Sequence, residues 1–330
     1  MFVVFIFLSE GKRRIMYELK KEQEYELFRN KISEAVSEYY GEEYRVKISR
    51  ANKLNGVVLY GINITEKDRK ISPTIYLEGF FKKYERGIAF SSVFKEIVDT
   101  YERFKNTDSM TVDFFMDYEK VKSNLSIKLI NTELNKELLK DVPHRIFDDL
   151  AIVCIVEVKN KDEKAGTVLI HNNHICMWGV HANELIDDAL KNATKIAAPR
   201  INKLSDVVLS LYDHCTDEER RSVMKQDMEL LREEPLNMFI LSNSDQTFGA
   251  SVITYPDLLK GIGESLKSDF YVLPSSVHEV IILPKFISGT IGNINSMIRS
   301  INSEMLNPED VLSDHAYLFS VEDNRLVSVA

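Results

Sequence analysis

The feature that most restricts the fold is the rhythm of the last hundred residues, where short apolar runs come in pairs separated by turns and followed by helical stretches. Residues 238–241 read as a strand, 242–247 as a turn, 250–255 as a strand and 256–266 as a helix. A second strand pair is expected at 270–273 and 277–283, a helix at 291–301, and a closing hairpin at 315–320 and 325–329. The same grammar occurs earlier. An apolar strand at 150–158 turns through the polar loop KNKDEKAG, a hairpin follows, and a helix at 183–194 is closed by Pro199. No residue-level repeat links the two regions, so the likeness is architectural. Hairpins mixed with helices, without regular βαβ alternation, indicate an α+β fold with hairpin-rich antiparallel or mixed sheets covered by helices.

Upstream, Tyr25, Phe28, Ile32, Val36 and Tyr39 recur at three- and four-residue steps across 17–40, which is one face of an amphipathic helix. Gly41 ends it. Runs rich in β-branched and aromatic residues at 44–48, 56–62 and 71–77 read as strands. Helices are expected at 91–104 and 112–122, and a short strand at 125–130. The charged segment 216–233 is a further helix, with Thr216 and Glu219 spaced as a capping box and Pro235 barring continuation. A chain of 330 residues exceeds most single domains, and the expectation is an N-terminal α+β lobe over 16–145 and a C-terminal one over 146–330. The first fifteen residues, MFVVFIFLSEGKRRI, are read as an extension from an upstream start, with a short strand as the alternative. Their basic cluster follows the apolar run, no small-residue cleavage site appears, and the run is far shorter than the ~20 residues that span a bilayer.

Composition bears on partners. With 44% hydrophobic and 28% charged residues the chain has the makings of a soluble core. The formal net charge of -9 disfavours nucleic acid and anionic membrane as partners, because both reward a basic face. The cysteines Cys154, Cys176 and Cys215 are odd in number and lack C-x-x-C spacing, which fits a reducing cytoplasm.

Two segments concentrate chemistry-bearing residues. In TVLIHNNHICMWGV (167–180), Asn-Asn between apolar runs is a two-residue hairpin turn, since Asn tolerates the left-handed conformation. His171 and His174 would then face each other across it, with Cys176 on the same face. Two histidines and a cysteine form a zinc set, or a thiol with an imidazole base. The plain reading is an exposed tip with ordinary packing below. In FYVLPSSVHEVIIL (270–283), Ser275, Ser276, His278 and Glu279 make a polar tip between very apolar strands, a candidate binding edge. Ile282 occupies the second histidine position of H-E-x-x-H, so the zinc-protease pattern fails. Asp148-Asp149 and His214-Cys215 are too common as pairs to read alone, and GIGES and GTIGN lack phosphate-loop spacing.

FFMDYEKVK (114–122), LLKDVPHRIFDDLAIV (138–153), LIHNNHICMWGV (169–180) and DFYVLPSSVHEVIILP (269–284) resemble, in this order, an uncharacterised bacterial family that is one of the numbered domains of unknown function. L-P-S-S-V-H-E is also similar to a second uncharacterised bacterial family. The resemblance runs from about Met16 to Leu318 and implies a bacterial cytoplasmic protein, with no reaction, cofactor or catalytic residue to carry over. The functional expectation is a non-catalytic cytoplasmic binding or scaffolding protein with a protein or small-molecule partner and no cofactor. The alternative is a metal-assisted or thiol-dependent hydrolase using the 171–176 hairpin, with zinc as its metal.

Overall fold

The computed structural model describes residues 2–67, 72–105, 112–159, 165–233, 237–287 and 291–329. The chain divides into two compact units, one formed by residues 1–53 and 57–109, the other by 54–56 and 110–330. With helices and three antiparallel sheets in these units, the fold class is α+β.

In the N-terminal unit, helix α1 (Phe2–Tyr40) is followed by strands β1 (Tyr44–Asn52), β2 (Val58–Glu66) and β3 (Thr74–Tyr76), then helices α2 (Glu78–Glu85) and α3 (Phe90–Phe104). The three strands pair antiparallel in the order β1-β2-β3. Tyr25, Phe28, Ile32 and Val36 of α1 are buried against Ile62 and Ile64 of β2 and Val93, Ile97 and Tyr101 of α3. Tyr39, the last residue of the expected stripe, is 61% exposed. Helix α1 also runs back to Phe2, so residues 2–15 are helical and the short-strand alternative for them is not realised. The expected strand 71–77 is confined to β3, and residue 71 lies outside the described residues.

In the C-terminal unit the order is α4 (Val112–Phe115), α5 (Tyr118–Lys122), β4 (Leu125–Asn131), β5 (His144–Phe147), β6 (Leu150–Lys159), β7 (Ala165–Leu169), α6 (Asn172–Trp178), α7 (Ala182–Ile196), β8 (Pro199–Lys203), α8 (Leu204–Asp213) and α9 (Glu218–Glu233). There follow β9 (Phe239–Asn243), α10 (Leu258–Leu266), β10 (Phe270–Pro274), β11 (Val280–Pro284), α11 (Ile291–Met305), β12 (Ala316–Ser320) and β13 (Arg325–Val329). Strand β6 carries β4 along one edge, while β5 and β7 share the other, opposite residues 150–153 and 155–159 respectively. The second sheet has six strands in the order β13-β12-β10-β11-β9-β8. One apolar core draws on both of these sheets: Leu125, Ile127, Cys154 and Val156 of the first, Leu241, Val272, Val280 and Ile282 of the second, and Leu185, Ile186, Ala189 and Ala193 of α7 belong to the same cluster.

Four local expectations differ from what is found. The expected lobe boundary at 145/146 cuts β5, which pairs with β6 from His144↔Val153 to Phe147↔Leu150 and so stays with the C-terminal unit. The single helix expected at 112–122 is two, because the Asp117 carboxylate accepts the Glu119 N–H at 3.1 Å and starts a second helix there. Residues 250–255 are not a strand but most of a 3-10 turn, Gly249–Thr254; its first five residues are all buried, and β9 pairs directly with β8 and β11. Finally, β8 and α8 lie in a stretch where periodicity announced neither.

Candidate functional site

The Asn172-Asn173 pair opens a helix instead of turning a hairpin. Strand β7 ends at Leu169, and both edges of β6 are already occupied. Ile175 and Trp178 recur at helical spacing and pack on the main core. The start of α6 is tied down locally. The Asn172 N–H donates to the Asp141 carbonyl at 2.8 Å, the Asn172 side-chain amide to the Lys140 carbonyl at 3.2 Å, and the His171 N–H to His174 Nδ1 at 3.0 Å. Gly179, in the left-handed conformation with φ 66°, ends the helix.

This overturns the geometry on which a zinc or thiol site was expected. His171 Nδ1 lies 2.9 Å from the Asp141 carboxylate. His174 Nδ1 accepts a backbone N–H, and its ring sits edge-on to Phe115 with centroids 5.0 Å apart. Burial, followed by the neighbouring His171, lowers the pKa of His174. Residues 174 and 176 are two positions apart on a helix, roughly 200° around it, so the exposed Cys176 turns away from the imidazole. Among the described residues no group of three or more His, Cys, Asp or Glu side chains could hold a metal ion.

The second expected tip is the five-residue link between β10 and β11, 275–279, so His278 and Glu279 precede the strand they were expected to open. Ser276 is 7% exposed and its hydroxyl accepts the His278 N–H at 3.0 Å. His278 Nδ1 accepts the Phe248 N–H at 3.2 Å, which leaves its proton on Nε2, 3.5 Å from the Asp310 carboxylate. Its ring stacks on Phe248 with centroids 5.5 Å apart, and its carbonyl accepts the Ser242 hydroxyl at 2.8 Å. Both nitrogens and the backbone of His278 thus face partners within the fold.

A third place, which neither segment pointed to, is a groove of about 440 Å³ where three turns meet. That volume lies within the ~300–1,000 Å³ of small-molecule sites. Asp148 comes from the β5–β6 turn, Asp257 from the start of α10, and Asn324 with Arg325 from the β12–β13 turn. Lys260, Thr254 and Tyr255 complete the polar lining. Asp148 (φ 56°), Asp257 (φ 58°) and Asn324 (φ 47°) are all left-handed, a conformation in which Asp and Asn are enriched among non-glycine residues. The Asp257 side chain does not cap α10. Asp148 accepts the Ser328 N–H at 3.0 Å. The side chains of Lys260 and Arg325 have neither an ion pair nor a hydrogen bond among the described residues.

Behind Asp148 lies a polar network that fixes the wall. The Tyr317 hydroxyl donates to the Asp149 carboxylate at 2.7 Å, and His315 Nε2 lies 3.4 Å from the other oxygen of that carboxylate. Burial first, and then the bond to Asp149, push the Tyr317 hydroxyl far above its ordinary pKa. Burial also pushes the Tyr255 hydroxyl up to about 12, so it stays a donor, held by the Ala193 and Ala197 carbonyls.

A family profile, described only as a family of unknown function (DUF5688), matches residues 25–321. The chain belongs to the DUF5688 family. No curated protein and no solved structure matches it. The DUF5688 match contains the 171–176 and 275–279 segments and most of the groove, while Asn324, Arg325 and Leu326 lie just beyond it. In this DUF5688 chain the Asp148-Asp149 pair was visible in sequence as a frequent dipeptide, but nothing in the spacing of Asp257, Lys260 and Arg325 announces that they meet. Among the described residues, no helix is long and apolar enough to cross a membrane.

Proposed function

We propose that the protein is a non-catalytic binding protein of the bacterial cytoplasm that takes a small zwitterionic molecule, of the amino-acid or short-peptide class, in the groove at Asp148, Asp257, Lys260 and Arg325. One observation carries the reading: two carboxylates and two cations line a single groove, and their side chains form no ion pair with one another. Arg325 and Lys260 would receive a ligand carboxylate, for which the planar guanidinium offers a two-pronged donor set. Asp257 and the outer oxygen of Asp148 would receive an ammonium group. The non-catalytic part of the reading rests on how the reactive side chains are used. His278 is held at both nitrogens, His174 accepts a backbone N–H, and Ser276 and Cys154 are buried. The free thiols of Cys154, Cys176 and Cys215 suit a reducing compartment.

The test is titration of the protein with a panel of amino acids and dipeptides, followed by calorimetry and amide NMR. The expected result is saturable binding by at least one member, with shifts at Asp257–Lys260 and Asn324–Leu326, weakened at least tenfold in Lys260→Ala and Arg325→Ala. Absence of binding at millimolar ligand, or binding unchanged in the double variant, would overturn the reading.

A further inference from the structure

Helix α10 turns one side to the groove and another to a second cavity. Leu259 and Lys260 line the groove, while Leu258, Gly261, Ile262, Ser265 and Leu266, recurring at three- and four-residue steps, line a cavity of about 550 Å³. Ile201 of β8 and Phe239 of β9 add two more apolar side chains to it. The Ser265 hydroxyl is already bonded to the Gly261 carbonyl at 2.8 Å, which leaves Lys203 and Asp257 as the charged groups of the cavity.

Two features join the hollows. Asp257, at the head of α10, lines both of them, and its side chain has neither an ion pair nor a hydrogen bond among the described residues. Gly261 stands one helical turn further on, its N–H on the Asp257 carbonyl at 2.9 Å. A Cβ at Gly261 would meet nothing within 4 Å. Packing within the chain therefore does not call for glycine there, inside a helix for which only proline is a poorer residue. The bare position leaves room for a ligand to pass from the groove, over the helix and beside the shared carboxylate, into the cavity.

We infer that the ligand of the groove is a short peptide whose first residue, the one bearing the free ammonium, has a large apolar side chain of the leucine, isoleucine or phenylalanine kind. The inference rests on the groove taking a zwitterion. The ammonium meets Asp257, the apolar side chain passes over Gly261 into the cavity, and the remainder lies in the groove with its carboxylate at Lys260 and Arg325. Five apolar side chains against the single exposed ammonium of Lys203 select this occupant, because an acidic side chain carried in among them would give up its water for one partner.

The test is calorimetric titration of the full chain with four dipeptides, Leu-Gly, Gly-Leu, Glu-Gly and Gly-Gly, with amide NMR of each mixture. Leu-Gly is expected to bind at least tenfold more tightly than each of the other three, and it alone should shift the amides of Ile201, Phe239 and Ser265. In Gly261→Leu, whose new side chain enters open space and should not lower the denaturation midpoint, the preference for Leu-Gly over Gly-Gly should disappear. Ile201→Asp, at a residue 48% exposed on the cavity wall, should remove the same preference without touching the groove. Gly-Gly bound as tightly as Leu-Gly, Gly-Leu or Glu-Gly bound at least as tightly, or a preference that survives either variant would overturn the inference and leave the zwitterion groove standing. Absence of binding by all four dipeptides at millimolar concentration would overturn both.

Discussion

The loop at His278 and the groove at Asp148 are built by the same device and finished in opposite ways. Each gathers left-handed non-glycine residues: Gln246 and Phe248 beside His278, and Asp148, Asp257 and Asn324 around the groove. At His278 the loop has closed on itself. Asn243 exchanges two hydrogen bonds with Thr247, the Phe248 ring is stacked on the imidazole, and the Lys128 ammonium sits 3.9 Å from the centre of that ring. A phenylalanine in the left-handed region costs about 1–3 kcal/mol, and persists only where the surroundings over-determine it. At the groove the left-handed residues are Asp and Asn, which bear the conformation more easily, and the cationic side chains beside them have no partners among the described residues. A polar cluster that satisfies itself specifies structure; one that does not is free to meet something else.

The largest effect is expected at Gly249, where the His278 loop is tightest. A Cβ on Gly249 would lie 2.5 Å from the His278 carbonyl oxygen and 2.7 Å from the Asn243 nitrogen, and closer still to the Ser242 hydroxyl. Since two of these are backbone atoms, Gly249→Ala should cost about 3 kcal/mol or more, read as a fall in the denaturation midpoint. An unchanged midpoint would mean that the loop is looser than its contacts imply. Next, Tyr317→Phe leaves one oxygen of Asp149 without its donor and should cost about 1–2 kcal/mol in the same measurement.

A smaller effect is expected from His174. Its pKa is lowered from the ordinary 6.5 in the folded state, so the folded protein prefers the neutral ring. The stabilisation this gives is complete above about pH 6.5 and is lost as pH falls through the lowered value, where protonation removes the acceptor for the His171 N–H. Melting temperature followed from pH 8 to 5 should fall in the acid range, and His174→Gln should flatten that part of the curve. A wild-type curve no steeper than the variant's would remove His174 as its cause. The smallest effect is expected at the groove: Lys260→Ala and Arg325→Ala should each change stability by no more than about 0.5 kcal/mol, because neither side chain has a partner to lose among the described residues. A larger loss in either would show that the groove charges belong to the fold.

How much could be read beforehand follows the range of the interaction. The α1 stripe, the apolar strand β6, the β10–β11 and β12–β13 hairpins and helix α11 were legible because residues a few positions apart settle them. The Asn172-Asn173 turn was misread because asparagine serves a hairpin and a helix start equally well. The choice fell to Asp141 and Lys140, some thirty residues away, whose carbonyls receive the Asn172 donors. Residues 250–255 carry a strand composition, yet the strands that could have paired with them already pair with one another.

The α+β class, the helical and hairpin periods and the burial of the apolar faces follow from the order of residues alone, since they depend on spacing along the chain and on the free energy of removing apolar surface from water. Which polar residues meet depends on the packing of the sheets and turns in space. It brought Asp148, Asp257 and Arg325 to one groove from turns up to 177 positions apart, kept His174 and Cys176 apart on one helix, and left β8 as an edge. The physical reason is that side-chain charges act over a few ångströms in space and carry no periodic signature along the chain, so their meeting is fixed by where the sheets place the turns.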